Sequence, residues 1–305
     1  MTQWFPNRIL GQGARMQQRF AVLCCALASS LAWAGVQITD DKGREVRLEQ
    51  APKRIVSLYP SLTEAVCALG RCQDLVGVDR YSNFPASVRA LPQLGGGLDP
   101  QIEAVFALKP DLVLAASSSP GAERLAALGL KVVQLEPKDY GATVRIVRTL
   151  ATLLGVADAQ PVIDQIDADF ASAQAQMPAQ ARGKKVYFEV STGPYAASPS
   201  SFIGQTLQRL GLLNIVGPEL GPFPKINPEL VVRSQPDIVV VADSSLAGMA
   251  ERPGWGQVRA LQAHRVCTFN KDDGDVLVRA GPRMGQGALR LAQCLRRLYP
   301  PKDSL

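Results

Sequence analysis

Ile163, Ile166, Phe170, Ala173 and Met177 recur at spacings of three and four, which places them on one stripe of a helix. The spacing predicts a helix over 158–177, with Pro161 tolerable because it falls in the first turn. Twenty residues at the helical rise make a rod of roughly 30 Å. The chain on either side follows one plan twice. Glu103 opens a short helical run that ends at Pro110-Asp111 and is followed by Leu-Val-Leu-Ala-Ala. Glu229 opens another that ends at Pro236-Asp237 and is followed by Ile-Val-Val-Val-Ala. The long helix therefore reads as a strut between two related lobes.

Pattern and turn residues predict a hairpin over 36–48, then strands at 54–58, 75–78, 112–116 and 131–135. Between and after them fall helices at 62–69, around Glu103, at 123–128 and at 143–154. Thr63 and Glu64 lie near the start of the 62–69 helix, where free backbone N–H groups favour acceptors and negative charge. The second lobe repeats the order, with strands at 185–190, 214–216, 238–242 and 266–269. Its helices are expected at 202–210, around Glu229, at 255–262 and at 284–298, the last with Pro282 near its first position. Such alternation argues for parallel sheets with right-handed crossovers. The division expected is 1–34 leader, 35–156 first lobe, 157–178 helix and 179–305 second lobe. In parallel sheets the loops after strand C-termini line the ligand crevice, here 59–61, 79–85, 117–121, 191–200 and 270–279.

The leader changes the charge picture. Residues 1–34 hold Arg8, Arg15 and Arg19 and no acidic residue, and the apolar run 20–32 ends in Ala32-Trp33-Ala34. This is the pattern of a secretory signal cleaved after Ala34, with Met16 a plausible start. Cys24 and Cys25 lack a preceding small residue, which argues against a lipid anchor. Of the 33 basic residues, 30 remain against 27 acidic ones, so the exported chain carries only about +3. No basic run with interleaved aromatics supports nucleic-acid binding. Export also favours disulfides among the four remaining cysteines. Three pairings are possible, and Cys67–Cys72 with Cys267–Cys294 is favoured because each pair stays within one lobe.

Catalytic signatures are missing. The single histidine, His264, stands just before a strand, and no nucleophile elbow or phosphate loop occurs. A metal site is not expected, and neither is a cofactor. The crevice loops instead offer Tyr59, Tyr81, Tyr195 and Phe223 beside Pro or Gly, with Asp275 and Arg279 at the C-terminal edge. Aromatic walls with few polar groups suit a bulky, largely apolar ligand with polar substituents.

The runs Arg54-Ile-Val-Ser-Leu-Tyr-Pro-Ser-Leu-Thr-Glu64, Leu75-Val-Gly-Val78 with Tyr81-Ser-Asn-Phe-Pro85, and Ala107-Leu-Lys-Pro-Asp111-Leu-Val carry a family likeness. They resemble the periplasmic substrate-binding proteins of ABC importers with a helical backbone, and within that class its cobalamin-binding member. The resemblance covers nearly all of 53–298. It implies two Rossmann-like α/β lobes joined by one long helix, the class III arrangement, in a periplasmic monomer without enzymatic activity. The implied ligand is cobalamin or a related corrinoid, with haem, an iron–siderophore or a tetrapyrrole-processing chelatase as alternatives. The implied partner is the permease dimer of an inner-membrane importer. By the same likeness Tyr81, Tyr195 and Phe223 are cavity aromatics, and Asp275 and Arg279 are polar ligand contacts. Glu103 and Glu229 correspond to two lobe-surface glutamates that dock onto permease arginines, although their places in first helical turns also give them an ordinary stabilising role. Gly95, Gly96 and Ala116 stand where the cobalamin binder has tryptophans, which implies a wider or reshaped cavity.

Overall fold

The computed structural model describes residues 1–4 and 35–300. The expected leader, with Met16, Cys24, Cys25 and the cleavage after Ala34, lies outside the described residues apart from its first four. The described residues from Gly35 onward belong to one compact unit.

Its first lobe opens with β1 (Val36–Thr39) and β2 (Glu45–Leu48), paired antiparallel. The turn between them is held by Asp40, whose carboxylate accepts from the Lys42 and Arg44 backbone N–H groups. The main sheet contains β3 (Ile55–Ser57), β4 (Leu75–Val78), β5 (Leu112–Ala115) and β6 (Val132–Gln134). It is parallel throughout in the order β4-β3-β5-β6. Helices α1 (Pro60–Ala68), α2 (Ile102–Ala107) and α3 (Pro120–Ala127) make the crossovers, and α4 (Tyr140–Leu154) follows β6. Helix α1 starts two residues before the expected point, because Pro60 is preset for a first helical position and the Tyr59 carbonyl accepts from the N–H groups of Leu62 and Thr63.

Helix α5 (Gln160–Gln176) then leads to the second lobe. That lobe holds β7 (Lys185–Ser191), β8 (Tyr195–Ala196), α6 (Phe202–Arg209), β9 (Leu213–Asn214), α7 (Pro228–Ser234) and β10 (Ile238–Ala242). It finishes with α8 (Asp243–Leu246), α9 (Arg259–Gln262), β11 (Val266–Phe269), α10 (Lys271–Leu277) and α11 (Met284–Leu298). Strands β9, β7, β10 and β11 are parallel neighbours in that order, matching the first lobe, and β8 adds antiparallel to the far end of β7. The protein is therefore two α/β lobes connected by a long helix.

Besides the earlier starts of α1, α3 and α4 and the added short elements β8 and α8, the structure departs from the pattern reading around 271–277, 255–262 and 282–284. The run 271–277, expected as loop, is helical: the Asn270 side chain accepts from the Asp273 N–H and buried Val276 and Leu277 anchor the turn. The stretch 255–262 is broken into a 3-10 turn at Trp255 and the short α9, because Trp255 turns inward and meets Tyr187 edge-on with ring centroids 5.6 Å apart. Helix α11 is preceded by Arg283, so Pro282 lies outside it.

The apolar stripe of α5 serves both cores. Ile163 belongs to the first-lobe core with Ile146, Leu150 and Leu154, while Ile166, Phe170, Ala173 and Met177 belong to the second. Most of α5 lies along α11. Gly285 makes that approach feasible, since a Cβ there would stand 2.6 Å from both the Asp169 Cβ and the Ile166 carbonyl oxygen. Among the described residues there are two disulfides, one within each lobe. Cys67 bonds Cys72 just past α1, and Cys267 on β11 bonds Cys294 on α11.

Candidate functional site

The strand order second, first, third, fourth puts a topological switch point between β3 and β5, where crevices form at strand C-termini. An open cavity of about 390 Å³ lies there. Tyr59, Pro60 and Ser61 follow β3, Asp79 and Tyr81 follow β4, and Ala116 and Ser118 follow β5. The segment Gly96-Gly97-Leu98-Asp99 closes one side, and Asp275, Val278 and Arg279 of the second lobe close another.

Tyr81 is 58 % exposed and Leu98 71 % exposed, so the apolar surface of the cleft is presented to solvent. Beneath them is a buried chain of hydroxyls. Thr63 Oγ1 lies 2.8 Å from both Ser57 Oγ and Ser82 Oγ, and Ser82 Oγ lies 2.5 Å from Asp79 Oδ1, so the three hydroxyls and the carboxyl form one hydrogen-bonded chain. Asp79 Oδ2 accepts the Tyr81 N–H at 2.9 Å and thereby shapes the loop. Burial pushes the Asp79 carboxyl above the usual carboxylate range, partly countered by the Ser82 and Tyr81 bonds and the Arg279 charge. Tyr59 is pushed up to about 12 by burial and by the nearby charges of Glu136 and Asp79, so it is a neutral hydroxyl at physiological pH.

Close packing requires glycine in the segment that closes the cleft. Gly95 has φ +86°, and a Cβ on Gly96 would collide with the Asp99 carboxylate. Asp99 in turn pairs with Arg80, whose guanidinium lies 5.6 Å from the Tyr81 ring centroid. An ion pair therefore lies against the backbone on this side of the cleft.

The expected site residues divide. Tyr59, Tyr81, Asp275 and Arg279 meet around this cavity. Tyr195 and Phe223 do not line it: Tyr195 sits on β8, bridged to Lys225, and Phe223 meets Phe202 edge-on at 6.0 Å. Each remains partly open, at 42 % and 39 %. Glu103 and Glu229 are exposed in the first turns of α2 and α7, and among the described residues neither carboxylate forms an ion pair. Asp79 and Val278 fall within loops expected to line the crevice, although neither was singled out, whereas the segment Gly96–Asp99 was not among those loops.

The role expected for Glu64, an acid near a helix start, is corrected by the structure. Its side chain is 3 % exposed and faces the second lobe. Glu64 Oε1 accepts from Arg279 Nη1 at 3.0 Å and from Arg283 Nη2 at 2.5 Å, and Oε2 accepts from Arg283 Nε at 2.9 Å. Arg279 also donates to Asn83 Oδ1 and to the Tyr81 carbonyl, each at 2.8 Å, and pairs with Asp275 at 2.9 Å. Asn83 Nδ2 donates to Asp275 Oδ2 at 2.8 Å.

Residues 55–272 match the family model described as periplasmic binding protein. The chain is 30 % identical over 277 residues to the uncharacterized ABC transporter substrate-binding lipoprotein YvrC of Bacillus subtilis, covering 87 % of this chain and 86 % of that protein. It is 26 % identical to a vitamin B12-binding protein of Pectobacterium carotovorum, over 83 % of this chain and 92 % of that one. A solved periplasmic haem-binding protein of Pseudomonas aeruginosa superposes with a TM-score of 0.69 at 26 % identity, covering 82 % and 93 % of the two chains.

Proposed function

Because the chain belongs to the periplasmic binding protein family, as an extracytoplasmic solute-binding protein of an ABC importer, we propose that its cleft captures cobalamin or a related corrinoid. The carrying observation is the charge of the cleft. Asp99 and Asp275 line it as ion pairs with Arg80 and Arg279, Asp79 lies buried beneath, and the terminal nitrogens of Arg279 are spent on Glu64, Asn83, Tyr81 and Asp275, so no unpaired guanidinium faces the ligand. Such a lining presents no unpaired cation to a ligand edged with carboxylates, while the Asp99 and Asp275 carboxylates can accept from amide N–H and hydroxyl donors. A corrinoid presents an amide-rich rim around a broad, largely apolar ring, whereas haem presents two propionates. Tyr59, Tyr81, Leu98 and Val278 supply apolar surface for the ring, and Asp275 and Arg279 form the polar edge. Tyr195 and Phe223, on the second lobe beyond the cavity, meet the part of a large ligand that projects from it. The relationship to a vitamin B12-binding protein supports the same reading.

One observation favours a second ligand class. The exposed phenol of Tyr81 is a chemically competent ligand for ferric haem iron. Absorbance titration of the purified protein with cyanocobalamin, haemin and a ferric hydroxamate siderophore separates the readings. Saturable binding of cyanocobalamin, with none of haemin, is expected. Saturable haemin binding that is lost in Tyr81→Phe, without cyanocobalamin binding, would replace the corrinoid by haem.

A further inference from the structure

Of the residues lining the cavity, only Asp275, Val278 and Arg279 come from the second lobe, and two of these three belong to the Glu64 network. The network is a fastening between lobes. Glu64 is on α1 of the first lobe, and Arg279 and Arg283 lie between α10 and α11 of the second. Three hydrogen bonds run from the two guanidiniums to one buried carboxylate. The Arg283 guanidinium also lies 3.8 Å from the centre of the Phe84 ring, and Gly281 packs against Ser61. The Tyr81-Asn83 loop is held from the second lobe at the Tyr81 carbonyl and at the Asn83 amide.

We propose that Glu64 is a positioning residue for ligand binding: by seating Arg279 and Arg283 it sets the distance between the two walls of the cleft and holds the Tyr81 loop against the second lobe. Arg279 then acts on the ligand through Tyr81. Its side chain is only 9 % exposed, and both terminal nitrogens are committed within the protein. A carboxylate buried between two guanidiniums has no alternative partner if the lobes part, so separation would leave charges stranded in a partly dry interface. The arrangement resists opening on the rim of the cleft, at a point distinct from α5. This inference rests on the corrinoid reading only for its choice of probe.

The test compares wild type, Glu64→Gln, Arg279→Lys, Tyr81→Ala and the double variant Glu64→Gln/Tyr81→Ala. Two readouts are small-angle scattering of the unliganded proteins and cyanocobalamin affinity. Glu64→Gln is expected to enlarge the unliganded radius of gyration and to weaken binding about tenfold, as when the competent arrangement falls to a tenth of the population. In the Tyr81→Ala background the same substitution should weaken binding by clearly less, because the residue it positions is gone. Arg279→Lys keeps the charge but lacks the planar fork that reaches Glu64, Asn83 and Tyr81 together, so it too should bind more weakly. If Glu64→Gln fails to fold, Arg279→Lys decides. Wild-type lobe separation and wild-type affinity in whichever of these variants folds would overturn the proposal, as would an undiminished effect of Glu64→Gln in the Tyr81→Ala background. Failure of wild type to bind cyanocobalamin would sink the ligand reading alone, and unliganded scattering would still decide the fastening.

Discussion

Glu64 and Arg283 stand 219 positions apart in the chain, yet the guanidinium meets both oxygens of the carboxylate, Nε to Oε2 at 2.9 Å and Nη2 to Oε1 at 2.5 Å. With α5 seated in both cores, this network fastens the two lobes a second time, apart from the helix. The first prediction follows from that double attachment. Scattering with and without cyanocobalamin should show nearly the same radius of gyration. A large decrease on binding would mean that neither attachment restrains the lobes.

The disulfides differ in what they hold. Cys67–Cys72 closes a separation of 5 residues, and Cys267–Cys294 closes one of 27 and ties β11 to α11. Loop-closure entropy assigns about 2 kcal/mol to the first and about 3.5 kcal/mol to the second. Replacing Cys267 and Cys294 together by Ala should lower the denaturation midpoint more than replacing Cys67 and Cys72. Peptide mapping of unreduced protein checks the pairs, and a cross-lobe bond would contradict them.

Gly285 marks the tightest approach of α11 to α5. Gly285→Ala adds a Cβ 2.6 Å from backbone and side-chain atoms of Asp169 and Ile166, and neither helix can yield without moving the core. A destabilisation of about 1–3 kcal/mol is expected, the usual range for overpacking. Chemical denaturation measures it, and an unchanged midpoint would show that the helices are less closely seated.

Tyr59 ionises near 12 in the folded protein, against 10 for an ordinary phenol. Its neutral form is favoured by folding, so this contribution is complete below pH 10 and is lost as pH rises from about 10 to about 12. Wild type should therefore lose stability more steeply across that window than Tyr59→Phe. At pH 11 the phenolate absorbance of the two folded proteins should be nearly equal. A full phenolate difference at that pH would place Tyr59 in water.

Glu103 and Glu229 occupy matching first turns, one on each lobe, and are exposed. We propose that each offers its carboxylate to an arginine on one half of a two-fold permease, a charge-assisted pair whose two contacts reinforce each other. Replacing both by Ala should leave ligand affinity unchanged, strongly reduce uptake and weaken permease association, which should also weaken as salt rises. Wild-type uptake by a folded double variant would reduce both residues to helix-end stabilisers.

Much of the fold was legible because its signals are local. The three-and-four spacing of Ile163, Ile166, Phe170, Ala173 and Met177 identified α5, and the buried runs after Asp111 and Asp237 gave matching strands in both lobes. Those patterns depend on neighbours within a turn or two, so they survive without knowledge of the rest of the chain. Tyr59 and Tyr81 were legible at the cleft for a related reason: each follows a strand whose C-terminus faces the crevice. The role of Glu64 was not, since a carboxylate one turn into a helix has a sufficient local explanation and its partners lie 215 and 219 residues away. Nor could residue type alone show that Tyr195 and Phe223 stand outside the cavity that Tyr81 enters. Pattern along the chain decided which elements form and in what order. Which side chains face each other across the cleft was decided only by the packing of α5 on α11 and the seating of one lobe against the other, because that distance is set by contacts between residues remote in sequence.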